Sequence, residues 1–288
     1  MNPAQIRNIF AGYGEIIAAA ILWGLAGIFG KMIIGMSAQS IIFYRVTIAF
    51  IILFAVLLIS GNLYRVHLKN KKSYLVMFSI LQAATMLTYF EAILNASVSI
   101  AVLLLYTAPV YVTVLSPLLL KERATKKGLI ALLLSIAGIL FIVGPEKPDF
   151  SLQSIGIIAG ILSGIAYGFQ IMTSKFISST YSGYTQAFWS FLVAALVLLP
   201  SGLVPMDVFS SNVIFLILLA IFPTILAVSL YFNGLAKVRA ASASILGLIE
   251  PVSAIVLSVL ILNERLAFPE VIGGAFILAG AALVATDR

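Results

Sequence analysis

Two ionisable side chains stand deep inside apolar runs of this sequence. A charge at the centre of a membrane span costs about 2.5–3.5 kcal/mol on insertion scales, so each calls for a physical reason. Glu250 lies eleven residues after Arg239 and fourteen before Glu264, roughly 16 Å from the start of its helix. Such a carboxyl can carry a proton, meet a cationic group, or fasten its helix to a neighbour. Arg45 lies seven residues beyond Ala38, about 10 Å below a membrane surface. Its guanidinium can hold a carboxylate, pair with Glu250, or extend outward and lock its own helix through backbone carbonyls.

Aromatic and amide side chains accompany these charges. Trp23, Tyr106 and Tyr167 fall near mid-depth in their runs, with Gln170 one turn from Tyr167. Aromatic faces with a few polar groups suit small amphipathic molecules, and cations through the ring quadrupole; ordinary helix packing competes with that role. Tyr89 and Tyr231 sit nearer the ends of their runs, where they are either cavity residues or interface anchors. Glu91 and Asn233 are shallow enough to be a solvated rim or an entrance. No Gly-Lys-Ser/Thr phosphate loop, His-Glu-x-x-His or Gly-x-Ser-x-Gly occurs, so ATP-driven and hydrolytic chemistries that use them are excluded. Cysteine is absent and the one His lies among lysines. No metal, cofactor or catalytic residue is expected, and the chain does not read as an enzyme.

The elements that hold these residues are read from hydropathy. The chain is 62% hydrophobic and 9% charged, against roughly 25% charged in soluble proteins. Ten apolar runs recur, near 14–35, 38–60, 72–93, 97–120, 127–143, 153–176, 184–203, 212–235, 239–263 and 268–286. Each is long enough to cross about 30 Å of hydrocarbon as a helix. The fold class is therefore an all-α integral membrane protein of ten transmembrane helices. The short N-terminal segment lacks the parts of a cleavable signal, so the first run is expected to stay as a span.

Those helices are written twice. Tyr89 through Arg123 aligns with Tyr231 through Arg265 at an offset of 142 residues, with 13 of 35 positions identical, more than shared apolar composition explains. Trp23-Gly24 and Lys31 recur as Tyr167-Gly168 and Lys175 at an offset of 144. Five spans per copy invert the second copy relative to the first, an architecture common among secondary transporters. The expected units are residues 1–143 and 153–288, joined by an external linker at 144–152. Arg45 and Glu250 break the symmetry, since their counterparts are Trp189 and Ala108. Pro109 and Pro251 are equivalent and are expected to form a kinked pair that acts as a hinge. Gly156, Gly160, Gly164 and Gly168 form one helical face, for tight packing or for rocking.

Alternating the spans puts thirteen Lys and Arg on the face of the termini and three on the other, with Arg45 inside a span. By the positive-inside rule both termini are expected in the cytoplasm. The net charge of +7 then orients the chain and meets anionic lipid. Nucleic acid is not an expected partner, because no long basic segment exists to bind it.

The paired segments Ala-Pro-Val-Tyr-Val-Thr-Val-Leu-Ser-Pro-Leu-Leu-Leu-Lys-Glu-Arg at 108–123 and Glu-Pro-Val-Ser-Ala-Ile-Val-Leu-Ser-Val-Leu-Ile-Leu-Asn-Glu-Arg at 250–265 resemble the EamA family of the drug/metabolite transporter superfamily. The resemblance extends to Trp23-Gly24 and to Phe43-Tyr44-Arg45. It implies a ten-helix carrier in the cell (inner) membrane, with cytoplasmic termini and a central cavity, exporting amino acids or other small metabolites. Trp23, Arg45, Tyr106, Tyr167, Gln170 and Glu250 are the expected substrate-binding residues, and a monomer suffices. Protons or the substrate gradient supply the energy. A cation, nucleotide sugar or lipid-linked cargo, or a passive channel, is the alternative. The Glu-Arg pairs lie at helix ends and read as structural.

Overall fold

The computed structural model describes residues 3–143 and 154–286, so the expected linker at 144–152 lies outside the described residues. Ten spans cover Ala4–Lys31, Ala38–Ile59, Lys72–Asn95, Val98–Leu119, Lys126–Val143, Ile155–Ile177, Gly183–Pro200, Met206–Lys237, Ala240–Leu262 and Phe268–Ala285, here spans 1 to 10. Span 1 begins well before the expected residue 14, because its early polar residues stay helical. Glu15 there pairs with Lys237 of span 8. Span 8 begins at Met206, not 212, since Pro205 precedes it and Asp207 complements its positive N-terminal end.

Local chemistry sets most helix starts. Ser37 Oγ accepts from the Ser40 amide at 3.1 Å to cap span 2, and Ser97 Oγ accepts from the Ile100 amide at 3.1 Å to cap span 4. The amide of Gly183, opening span 7, donates to Asn233 Oδ1 at 2.9 Å. At span 10, Glu270 Oε2 accepts from the Ala267 amide at 2.8 Å.

Spans 4 and 9 are each broken in the middle. Span 4 consists of helices Val98–Leu105 and Ala108–Leu119, and span 9 of Ala240–Gly247 and Ile249–Leu262. Pro109 and Pro251 fall in the first turn of the second piece, where a missing amide costs little. The prolines therefore interrupt their spans, rather than kink continuous helices. Pro223 is accommodated differently, inside a π-helical stretch Ala220–Leu226 of span 8. The wider i→i−5 ladder skips the missing amide, and Thr224 Oγ1 adds a bond to the Leu219 carbonyl at 2.7 Å.

Both broken spans end alike. Lys121 and Asn263, 142 residues apart, adopt the left-handed conformation at φ 58° and φ 55°. The next amides, of Glu122 and Glu264, reach back to the carbonyls of Ser116 and Ser258 at 3.3 and 3.4 Å, the same bond in both spans. The duplicated Leu-Ser to Glu-Arg segment thus encodes a helix stop that aims a glutamate.

Packing pairs the spans across the molecule. Span 3 lies on span 6 and span 8 on span 1; span 4 lies on span 6 and span 9 on span 1; spans 2 and 7 pair, as do spans 5 and 10. The glycines of span 6 all meet span 4 or the turn before it. A Cβ at Gly164 would lie 2.5 Å from the Leu104 carbonyl oxygen and from Thr107 Oγ1. Spans 5 and 10 touch backbone to backbone, a Cβ at Gly138 falling 2.5 Å from the carbonyl oxygen of Gly273.

Candidate functional site

Eight of the ten spans surround a central cavity of about 390 Å³; among the described residues, spans 5 and 10 contribute nothing to its wall. Trp23, Arg45, Tyr106, Tyr167, Gln170 and Glu250 all line it, from spans 1, 2, 4, 6 and 9, with Tyr89 and Tyr231 completing the aromatic lining.

Glu250 reaches the cavity because span 9 breaks at Leu248, which places it in the first turn of the second helical piece. The positive end of that piece favours a negative charge there. Tyr106 stands at the equivalent break of span 4 and directs its hydroxyl to the Glu250 carboxylate. Arg45 is the opposite charge acting on the same carboxylate. Opposite charges attract more strongly across a site shielded from bulk water than in solution, and each alone there would be costly. The Arg45 Nε has no hydrogen-bond partner among the described residues, so the guanidinium retains donor capacity.

A second polar locus is the amide pair, Gln170 Nε2 donating to Gln82 Oε1 at 2.5 Å. Gln170 Oε1 is left without a partner among the described residues, while the buried hydroxyl of Tyr231 faces that of Tyr167. The Trp23 and Tyr231 rings lie 5.0 Å apart at 45°, giving a tilted aromatic wall. The arrangement offers one cation, one carboxylate, amide and phenol groups, and an apolar surround, a chemistry that would suit a small molecule carrying both charges.

Three residues stand elsewhere. Glu91 is exposed and its Oε1 accepts from Asn95 Nδ2 at 2.9 Å. Asn233 is engaged in capping span 7. Neither is among the residues that line the cavity. Pro251 lines the cavity and its equivalent Pro109 does not.

Gln82, Thr85, Met86, Phe191 and Thr224 also line the cavity and escaped the sequence reading. Gln82 carried a readable signal, an amide within an apolar run. The others are indistinguishable by type from packing residues.

The EamA-like transporter family model matches residues 10–144 and 154–286. An uncharacterized transporter of Archaeoglobus fulgidus is 31% identical over 270 residues, covering 93% of this chain and 94% of that protein. The uncharacterized inner membrane transporter YicL of Salmonella typhimurium is 28% identical over 287 residues, covering 96% and 95%. A crystal structure at 19% identity superposes with a TM-score of 0.82 over 99% of this chain and 97% of that one, a likeness of fold.

Proposed function

The chain belongs to the EamA-like transporter family, and from that membership we propose a secondary transporter that exports small amphipathic metabolites, amino acids foremost, by alternating access. The observation that carries the cargo class is the cavity itself, which holds one Arg, one Glu and an aromatic wall within about 390 Å³. Arg45 is the carboxylate anchor. Glu250 is the amine partner, and its charge opposes that of Arg45. Phosphorylated cargo fits less well, since Arg45 is the one Arg or Lys among the lining residues and a phosphate favours several.

We also read the two sets of five spans as inverted repeats, with both termini in the cytoplasm. The equivalent breaks in spans 4 and 9, the left-handed Lys121 and Asn263, and the reciprocal span pairing support the first part. The excess of Lys and Arg on the terminal face supports the second.

Counterflow in proteoliposomes tests the reading. Vesicles are loaded with each of a panel of unlabelled amino acids, and uptake of a labelled one is followed. Accelerated uptake for a subset of zwitterionic amino acids is expected, and Arg45→Gln should abolish it. Absence of exchange for every amino acid, by folded protein, would overturn the cargo assignment; conductance without counterflow would replace the carrier with a channel.

A further inference from the structure

Two lysines hold equivalent places at opposite faces of the molecule, and the structure treats them unequally. Lys175, at the end of span 6, donates to the carbonyls of Leu235 at 2.9 Å and Ala236 at 3.2 Å, and to that of Val238. Those carbonyls belong to the junction of spans 8 and 9. Glu122 reaches the same junction, its Oε2 accepting from the Ala240 amide at 2.7 Å. Lys175 and Glu122 are themselves 3.8 Å apart, with side chains 19% and 16% exposed. Together they tie spans 4 and 6 to spans 8 and 9 on the terminal face, where with Ile6 and Ala285 they line a shallow pocket of about 560 Å³.

Lys31 and Glu264 are the counterparts of Lys175 and Glu122, at offsets of 144 and 142. The corresponding junction, between spans 3 and 4, presents the carbonyls of Ile93, Leu94 and Ala96 and the amide of Val98. Neither residue crosses to it. Lys31 pairs instead with Glu264 at 2.5 Å, with side chains 59% and 43% exposed. The helix surfaces beside the two lysines differ in the same sense. Gly27 lines the cavity, and a Cβ there would meet no atom within 4 Å. Its equivalent Ile171, one turn before Lys175, is 1% exposed.

We infer that Lys31 and Lys175 are reciprocal latches, each closing its own face of the cavity by donating to backbone carbonyls across the gap, with one engaged at a time. Lys175 is engaged in this structure. In the opposite state, Lys31 leaves Glu264 for the carbonyls of Ile93, Leu94 and Ala96, and Glu264 caps span 4 at Val98. Lys175 then withdraws to Glu122. A lysine suits this task because its ammonium offers three donors that a carbonyl cluster can satisfy. The inference rests on the alternating-access reading and names the groups that hold each end state.

The native chain has no cysteine, so single-cysteine reporters can be read directly. Gly27→Cys reports on the opposite face and Ile171→Cys on the terminal face, each labelled with a membrane-impermeant maleimide in lipid nanodiscs without substrate. Lys175→Met should slow labelling at Gly27→Cys and speed it at Ile171→Cys, by about tenfold for loss of a charge-assisted cluster. Lys31→Met, at an exposed position that folding tolerates, should do the reverse and slow Ile171→Cys on the far face. Lys175→Arg, which retains donors, should label like the parent. Unchanged labelling at Ile171→Cys in Lys31→Met, or shifts of the same sign from both lysine variants, would overturn the inference. Because labelling needs no substrate, reciprocal shifts without amino-acid counterflow would sink the cargo assignment and leave the latches. Counterflow without the shifts would do the opposite.

Discussion

Arg45 and Glu250 arrive at the cavity from spans 2 and 9, and neither is required by the duplication. Charge placed against the internal symmetry, at depth, is the sequence signal that singled them out. The aromatic residues were legible for a related reason: Trp23, Tyr106 and Tyr167 are too deep to be interface anchors. The partner of Gln82 could be known only once span 3 lay on span 6, because Gln170 is 88 residues away. Removing Gln82 as Gln82→Leu leaves Gln170 unsatisfied on both ends, and a loss of about 1–3 kcal/mol in stability is expected, measured by thermal unfolding in detergent. At the surface, the hydrogen bond from Lys31 holds the Glu264 carboxyl below the usual carboxylate range. A depressed native value means the interaction contributes above the unfolded-state value and is lost as pH falls through the native one. A carboxyl-carbon NMR titration should find Glu264 below a free glutamate, moving upward in Lys31→Met. High salt should shrink the difference, since both groups are exposed.

At the scale of the helix, prolines announced irregular backbone but not its form. Pro109 and Pro251 produce breaks, and Pro223 a π-helical stretch, because their neighbours along the chain differ. Thr224 adds its hydroxyl to the Leu219 carbonyl within that stretch. Thr224→Val removes it, with an expected cost of about 1 kcal/mol and no equivalent penalty for Thr224→Ser, read from the same thermal unfolding. The glycine face of span 6 left packing and rocking open to a sequence reader. A Cβ at Gly164 would press on the Leu104 backbone, so Gly164→Ala is expected to destabilise by about 1–3 kcal/mol and to test fit rather than movement. The Glu-Arg pairs were legible as helix ends. Their role in turning Glu122 and Glu264 toward the two lysines was not, because it depends on the left-handed residue just before them.

For the whole molecule, the ten spans follow from hydropathy alone, whereas the pairing among them does not. Apolar helices in lipid carry no period that says which neighbour they meet; small residues at close approaches decide that. The charge asymmetry makes a topological prediction of its own. Protease or epitope access in intact cells should place both termini and the Arg65–Lys72 segment in the cytoplasm, and external access to any of them would refute that orientation. Spans 5 and 10 stand apart from the cavity wall and meet through Gly138 and Gly273. These are the last spans of the two sets of five, so their contact is a non-covalent suture between halves of the polypeptide. Covalent continuity between Val143 and Ser154 then becomes dispensable: two separately translated halves should find each other in one bilayer and reconstitute activity, and bulk introduced at Gly138 should abolish that complementation far more completely than it harms the intact chain.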